Sequence, residues 1–129
     1  MIGLSQLSLL FLAGGLGTLS RFGLSTLLSC CFTRPEPWGT AVINILGCFF
    51  FGMIAEAFQI RETWSLQARV IILTGFFGAF TTFSTYMFEI HSLLTRGSAV
   101  CACAGFLLQN GLGFSGIILG IVFIRHFFS

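Results

Sequence analysis

The sequence predicts an all-α membrane protein of four transmembrane helices, forming one domain over residues 1–129. Three observations predict it: a composition unsuited to water, four apolar stretches separated by charges, and short connections between them. Of the 129 residues, 56% are hydrophobic and 8% charged, well outside the range of an ordinary soluble domain. The charges divide the chain: residues 1–20 carry none before Arg21, 37–55 none before Glu56, 70–88 none before Glu89, and 97–124 none before Arg125. At ~1.5 Å per residue the shorter stretches reach about 28 Å, close to a hydrocarbon core roughly 30 Å thick. Leu, Ile and Phe populate every side of each stretch, which separates them from amphipathic surface helices.

The first stretch lacks a positively charged leader, and apolar character recurs to the C-terminus, so it is expected to be a retained helix. Residues 33–37 read as a Pro-bounded turn, 61–69 as a charged loop with Trp64 near the interface, and 95–97 as a tight reversal. The net charge of +2 arises from six Arg against Glu36, Glu56, Glu62 and Glu89. That balance offers no basic patch for nucleic acid. Cys30, Cys31, Cys48, Cys101 and Cys103 lie in or beside apolar runs without metal-ligand spacing to His91 or His126, and read as small buried hydrophobes.

Four spans place Arg61, Arg69 and Arg125 on one side of the bilayer and Arg34, Arg96 and Arg21 on the other. Three against three gives the positive-inside rule nothing to act on. Two readings follow: a fixed topology set by other details, or insertion both ways up with assembly into an antiparallel homodimer.

The third stretch contains Thr74, Gly75, Phe76, Phe77, Gly78, Ala79, Phe80, Thr81, Thr82, Phe83, Ser84, Thr85 and Tyr86. Two Gly and a cluster of Thr at mid-membrane depth lower helix propensity. A break there exposes backbone groups that lipid cannot satisfy, which makes it a binding-site candidate. A continuous helix with Gly as a packing notch, its hydroxyls bonded back to the backbone, is the alternative. Asn44 in the second stretch and Gln109 with Asn110 in the fourth add neutral amides with no carboxylate among them. Donors without acids suit an anion better than a cation or a proton relay. Phe83 beside Ser and Thr adds an aromatic ring edge, the positive end of the ring quadrupole.

The runs Gly14–Phe22 (GGLGTLSRF), Gly39–Gly47 (GTAVINILG) and Gly75–Glu89 together resemble the CrcB or Fluc family of fluoride channels, with 81–85 (TTFST) the most specific part. The resemblance implies an antiparallel, dual-topology homodimer with two narrow pores in the cell membrane. It implies passive fluoride export that lowers cytoplasmic fluoride toxicity. It further implies that Phe83 opens a box of aromatic rings, with Tyr86 where the family has Phe. Asn44 would bond the ion or steer that ring, and Ser84 and Thr85 would continue the polar track. Gly78 and Thr81 would offer carbonyls to a structural sodium ion at the dimer centre and the third helix would be broken near mid-membrane. Arg21 and Glu89 match charged vestibule or structural positions. In the fourth helix, Gln109, Asn110 and Ser115 stand as candidates where the family carries track hydroxyls.

Two other classes fit less well. A proton-coupled drug exporter needs a deep carboxylate, whereas Glu56 and Glu89 end their apolar stretches. An intramembrane enzyme needs a nucleophile with a base or a metal triad, and neither His lies within the four stretches.

Overall fold

The computed structural model describes residues 3–31, 38–61 and 64–128. Among them the chain is all helical, with four helical spans long and apolar enough to cross a membrane. Helix α1 covers Leu4–Cys31 and α2 covers Trp38–Ile60. The third span begins with a short helix, α3 (Leu66–Arg69), continues as a π-helical segment (Val70–Phe77), and ends in α4 (Gly78–Phe80) and α5 (Phe83–Thr95). Helix α6 covers Ala99–Phe128. The expected turn at 33–37, with Arg34, lies outside the described residues.

The helices overrun the charges that bounded the apolar stretches. Arg21 lies within α1, Glu56 within α2, Glu89 within α5 and Arg125 within α6. The reason is that a charge does not end a helix when a neighbouring helix satisfies it. Arg21 Nε donates to the Ala79 carbonyl at 3.2 Å, the Thr40 hydroxyl donates to Glu89, and Arg125 Nε pairs with Glu56 at 2.7 Å. The charged loop expected at 61–69 is also shorter than predicted. The Ser65 hydroxyl accepts from the Ala68 amide at 3.2 Å, an N-cap that starts helix at Leu66.

The reversal at 95–97 has a defined cause. Gly97 adopts φ +76°, and the Ser98 and Gly97 amides donate to the Leu93 and Leu94 carbonyls at 2.9 and 3.0 Å. That pair of bonds is the Schellman arrangement, for which Gly carries no Cβ penalty.

Helices α2 and α6 form the main packed pair. Their backbones meet directly: a Cβ on Gly120 would overlap the Phe49 carbonyl, and one on Gly52 the Ile117 carbonyl. In lipid, where apolar side chains gain little by leaving the solvent, such close backbone contact is the main source of helix association. Helix α1 packs against the π-helical segment and α4, while Phe11, Phe22, Leu4 and Leu16 stay exposed along its outer face, as suits a helix against lipid.

Candidate functional site

The site begins with two residues that leave the helical conformation. Thr81 (φ −85°, ψ 156°) and Thr82 (φ −144°, ψ 118°) are extended between α4 and α5. Both backbone groups of Thr82 are met by one side chain. Asn44 Oδ1 accepts from the Thr82 amide at 2.8 Å, and Asn44 Nδ2 donates to the Thr82 carbonyl at 2.9 Å. A primary amide thus pairs with one residue of main chain as a neighbouring strand would. Thr81 turns back on α4, its amide and hydroxyl both donating to the Phe77 carbonyl at 3.1 and 2.9 Å. Thr82 also caps α5: its hydroxyl accepts from the Thr85 amide and donates to the Thr85 hydroxyl at 2.9 Å. Asn44 meets both backbone groups of Thr82 and the Thr81 amide keeps a helical partner, so these groups stay satisfied where the chain leaves the helix.

Restarting the helix at Phe83 sets Phe83 and Tyr86 three residues apart on one face. Their rings meet edge to face, with centroids 6.1 Å apart. The two are placed differently, however, since Phe83 is 70% exposed and Tyr86 2%. Tyr86 also stacks on Phe106 of α6, its hydroxyl donating to the Phe106 carbonyl at 3.1 Å and accepting from Asn110 Nδ2 at 2.9 Å.

A cavity of about 350 Å³ lies beside the rings. It is lined by Asn44, Thr82, Phe83, Tyr86, Gln109 and Asn110, with Thr81, Cys48, Gly113, Phe114 and Ile117 completing the wall. No carboxylate is among these lining residues. Gln109 is buried, and its Oε1 has no hydrogen-bond partner among the described residues. Because an amide presents a donor and an acceptor at either end, turning it over would aim an N–H into the same space.

A second cavity of about 180 Å³ lies on the other side of Thr82, lined by Thr18, Arg21, Phe22, Ser25, Thr40, Ile43, Thr82 and Thr85. Thr82 is the residue common to both. Asn44, Phe83 and Tyr86 therefore share the larger cavity, whereas Thr85 and Arg21 face the smaller one. Ser84 is exposed and lines neither, and Ser115 is exposed on α6. Glu89 is buried and held by Thr40. Gly78 is exposed, with open space where a Cβ would stand.

The sequence reading gave no role to Thr40. The available signal was its position one helical turn before Asn44, on the same face of α2. It also missed Glu56 as an intrahelical charge paired with Arg125, 69 residues away, for which local sequence holds no signal.

The profile of the CrcB-like proteins, described as camphor resistance (CrcB), matches residues 8–121. The chain belongs to this family. Among its relatives is the fluoride-specific ion channel FluC of Solidesulfovibrio magneticus, 45% identical over 95% of this chain and 98% of the relative. The FluC protein of Nitrosococcus oceani is 44% identical over 89% of this chain and 92% of its own length. That of Rhizobium etli is 33% identical over 93% and 96%. These relatives are ion channels by name, not enzymes, and with its four spans this family member is a multi-pass protein of the cell membrane.

The Asn44 pairing can be tested directly. Asn44→Leu keeps the branched heavy-atom shape but strips partners from the Thr82 amide and carbonyl, and each unmet group costs about 1–3 kcal/mol. Thermal unfolding in detergent should show a clear drop in midpoint, with Asn44→Asp intermediate because it retains the acceptor. An unchanged midpoint in Asn44→Leu would show that the pairing is dispensable.

Proposed function

We propose that this chain is a fluoride channel that lets the ion leave the cell passively, working as an antiparallel homodimer with two pores. The observation that carries the proposal is the larger cavity: three amides, two threonine hydroxyls and three aromatic rings meet there with no carboxylate in the lining. Fluoride is small and strongly hydrated, so its path must replace water with several donors in series without binding it tightly at any one. The names of the relatives support the choice of ion.

In this reading the ion meets the ring edges of Phe83 and Tyr86, whose positive rim attracts an anion. Asn44 holds the extended backbone that presents Phe83, and Gln109 offers its amide from α6. Thr82 and Thr85 continue the polar path, Ser84 stands exposed beside them outside both cavities, and Arg21 supplies a fixed positive charge at the smaller cavity. Glu89 is structural, bound to Thr40.

The interruption at Thr81 and Thr82 is read as a break of the third transmembrane helix near mid-membrane. It bears on a cation as well. In a continuous helix the Thr82 amide would close on the Gly78 carbonyl, but here it donates to Asn44. Gly78 faces open space, and the C-terminal end of a helical segment carries partial negative charge. Carbonyls of Gly78 and Thr81, with the symmetric set from a second copy, fit a sodium ion. Such an ion would neutralise carbonyl dipoles where the copies meet. The balance of flanking Arg permits assembly in both orientations, and the resemblance favours it over a fixed topology.

Liposomes containing only this protein should release fluoride without a proton gradient, with chloride far slower. Equal rates for the two anions would refute selectivity. Phe83→Ile, which keeps bulk and loses the positive edge, should abolish most flux while the dimer survives. Tyr86→Phe should retain flux and Tyr86→Ile should lose much of it. Parent rates in both Ile variants would remove the rings from the path.

For topology, the native Cys are replaced and a single Cys is placed at the exposed position of Gln67. An impermeant thiol reagent added outside whole cells should label about half the copies in a dual-topology protein. Labelling of all or none would establish one orientation.

For the cation, a high-resolution structure in sodium should show density between two copies near Gly78 and Thr81. An unbroken third helix, or no such density, would dismiss it.

A further inference from the structure

We propose that Asn110 is a positioning residue for the second ring: together with the Phe106 carbonyl it ties the Tyr86 hydroxyl to α6, so that Tyr86 offers the passing ion its ring edge and not its O–H. The inference rests on the fluoride reading and assigns the chemistry of one residue within it.

Three polar groups close on one another. The Tyr86 hydroxyl donates its single proton to the Phe106 carbonyl at 3.1 Å. One proton of the Asn110 amide goes to the Tyr86 oxygen at 2.9 Å and the other to the same Phe106 carbonyl at 2.7 Å. Phe106 and Asn110 are four residues apart and therefore stand on one face of α6, one turn above the other. Every proton in the triangle is committed, and a phenol has no second one to give.

The consequence for an anion is specific. A free phenol beside the cavity would be its strongest neutral donor and would hold fluoride at one point, where conduction needs weak binding in series. With the proton committed to Phe106, Tyr86 behaves toward the ion as a phenylalanine would. The tether also restrains the side chain mechanically. Rotation about the ring's long axis leaves the hydroxyl in place, but a swing about χ1 would break its bonds. Stacking on Phe106, with ring planes 17° apart, acts in the same sense. Asn110 is exposed, as is Phe106, so the amide can be replaced without opening the buried core.

The decisive experiment is a double-mutant comparison of fluoride efflux. Removing Asn110 matters only if there is a hydroxyl to hold, so Asn110→Leu should slow flux about fivefold in the parent, the worth of one hydrogen bond. Combined with Tyr86→Phe it should change flux by less than about twofold, since no hydroxyl remains to be positioned. Equal losses in the two backgrounds would overturn the proposal, because a general packing role or direct contact with the ion does not depend on the phenol. A second readout is independent of transport. The chain has one tyrosine, so protein labelled with ¹³Cζ-tyrosine gives a single resonance that reports the hydrogen bonding of its hydroxyl. Asn110→Leu should shift that resonance, and an unmoved resonance would overturn the tether. If the parent protein carries no fluoride, the fluoride reading fails on its own and the resonance still decides the tether.

Discussion

The constraint on which this structure depends is that lipid offers no hydrogen bonds. Wherever a spanning chain leaves the helix, some other part of the protein must meet its amides and carbonyls. Here the burden falls on Asn44. Its two bonds to Thr82 permit the extended pair at Thr81 and Thr82, the pair permits α5 to restart at Phe83, and the restart brings Phe83 and Tyr86 to the same cavity as Asn44 itself. A single amide thus links the stability of the backbone to the geometry of the site. Its neighbours on α2 serve that link: a Cβ on Gly47 would overlap the Thr81 methyl group, so the helix that carries Asn44 has room to approach only because that position has no side chain.

Charge and neutral polarity have separate duties. Arg21, Glu89, Glu56 and Arg125 each engage a partner across a helix interface, and in a medium of low dielectric an unengaged charge would be costly. Charges therefore serve chiefly to fasten the spans, α1 to α4, α2 to α5 and α2 to α6. The larger cavity is left to amides, hydroxyls and rings. A carboxylate there would repel an anion and a full positive charge would trap it, so a neutral lining is the composition that allows an anion to enter and leave.

Much of the architecture was legible in the sequence because it follows from composition. Four uncharged stretches of spanning length fit membrane helices; in the third, Thr81 and Thr82 are extended, whereas Gly75 and Gly78 stay helical. The ends of the helices were not legible. Charge was read as a boundary, but Arg21 and Glu89 are satisfied by Ala79 and Thr40, residues 58 and 49 positions away. Such pairings exist only after folding. For the same reason Asn44 was recognisable as an intramembrane amide, while its bond to Thr82 was not. The donors without acids were visible in the sequence, but only packing distributes them, placing Thr85 at one cavity and Tyr86 at the other.

The unequal burial of the two rings completes the physical picture. Tyr86 is enclosed by α5 and α6 and makes its polar contacts within the chain, whereas Phe83 stands largely outside it. A ring edge helps an anion only where water and lipid are kept away, since competing hydration would erase so weak an attraction. Phe83 on a lone chain does not meet that condition. In the proposed dimer a second copy would cover it, and the path for the ion would then be walled on one side by Tyr86 and on the other by a surface the single chain does not possess. The same assembly that would supply symmetric carbonyls to a cation at Gly78 and Thr81 would thereby seal the anion path at Phe83. Both requirements arise where the third span leaves the helix, so the proposed dimer and the proposed pore would depend on the same few residues of extended backbone.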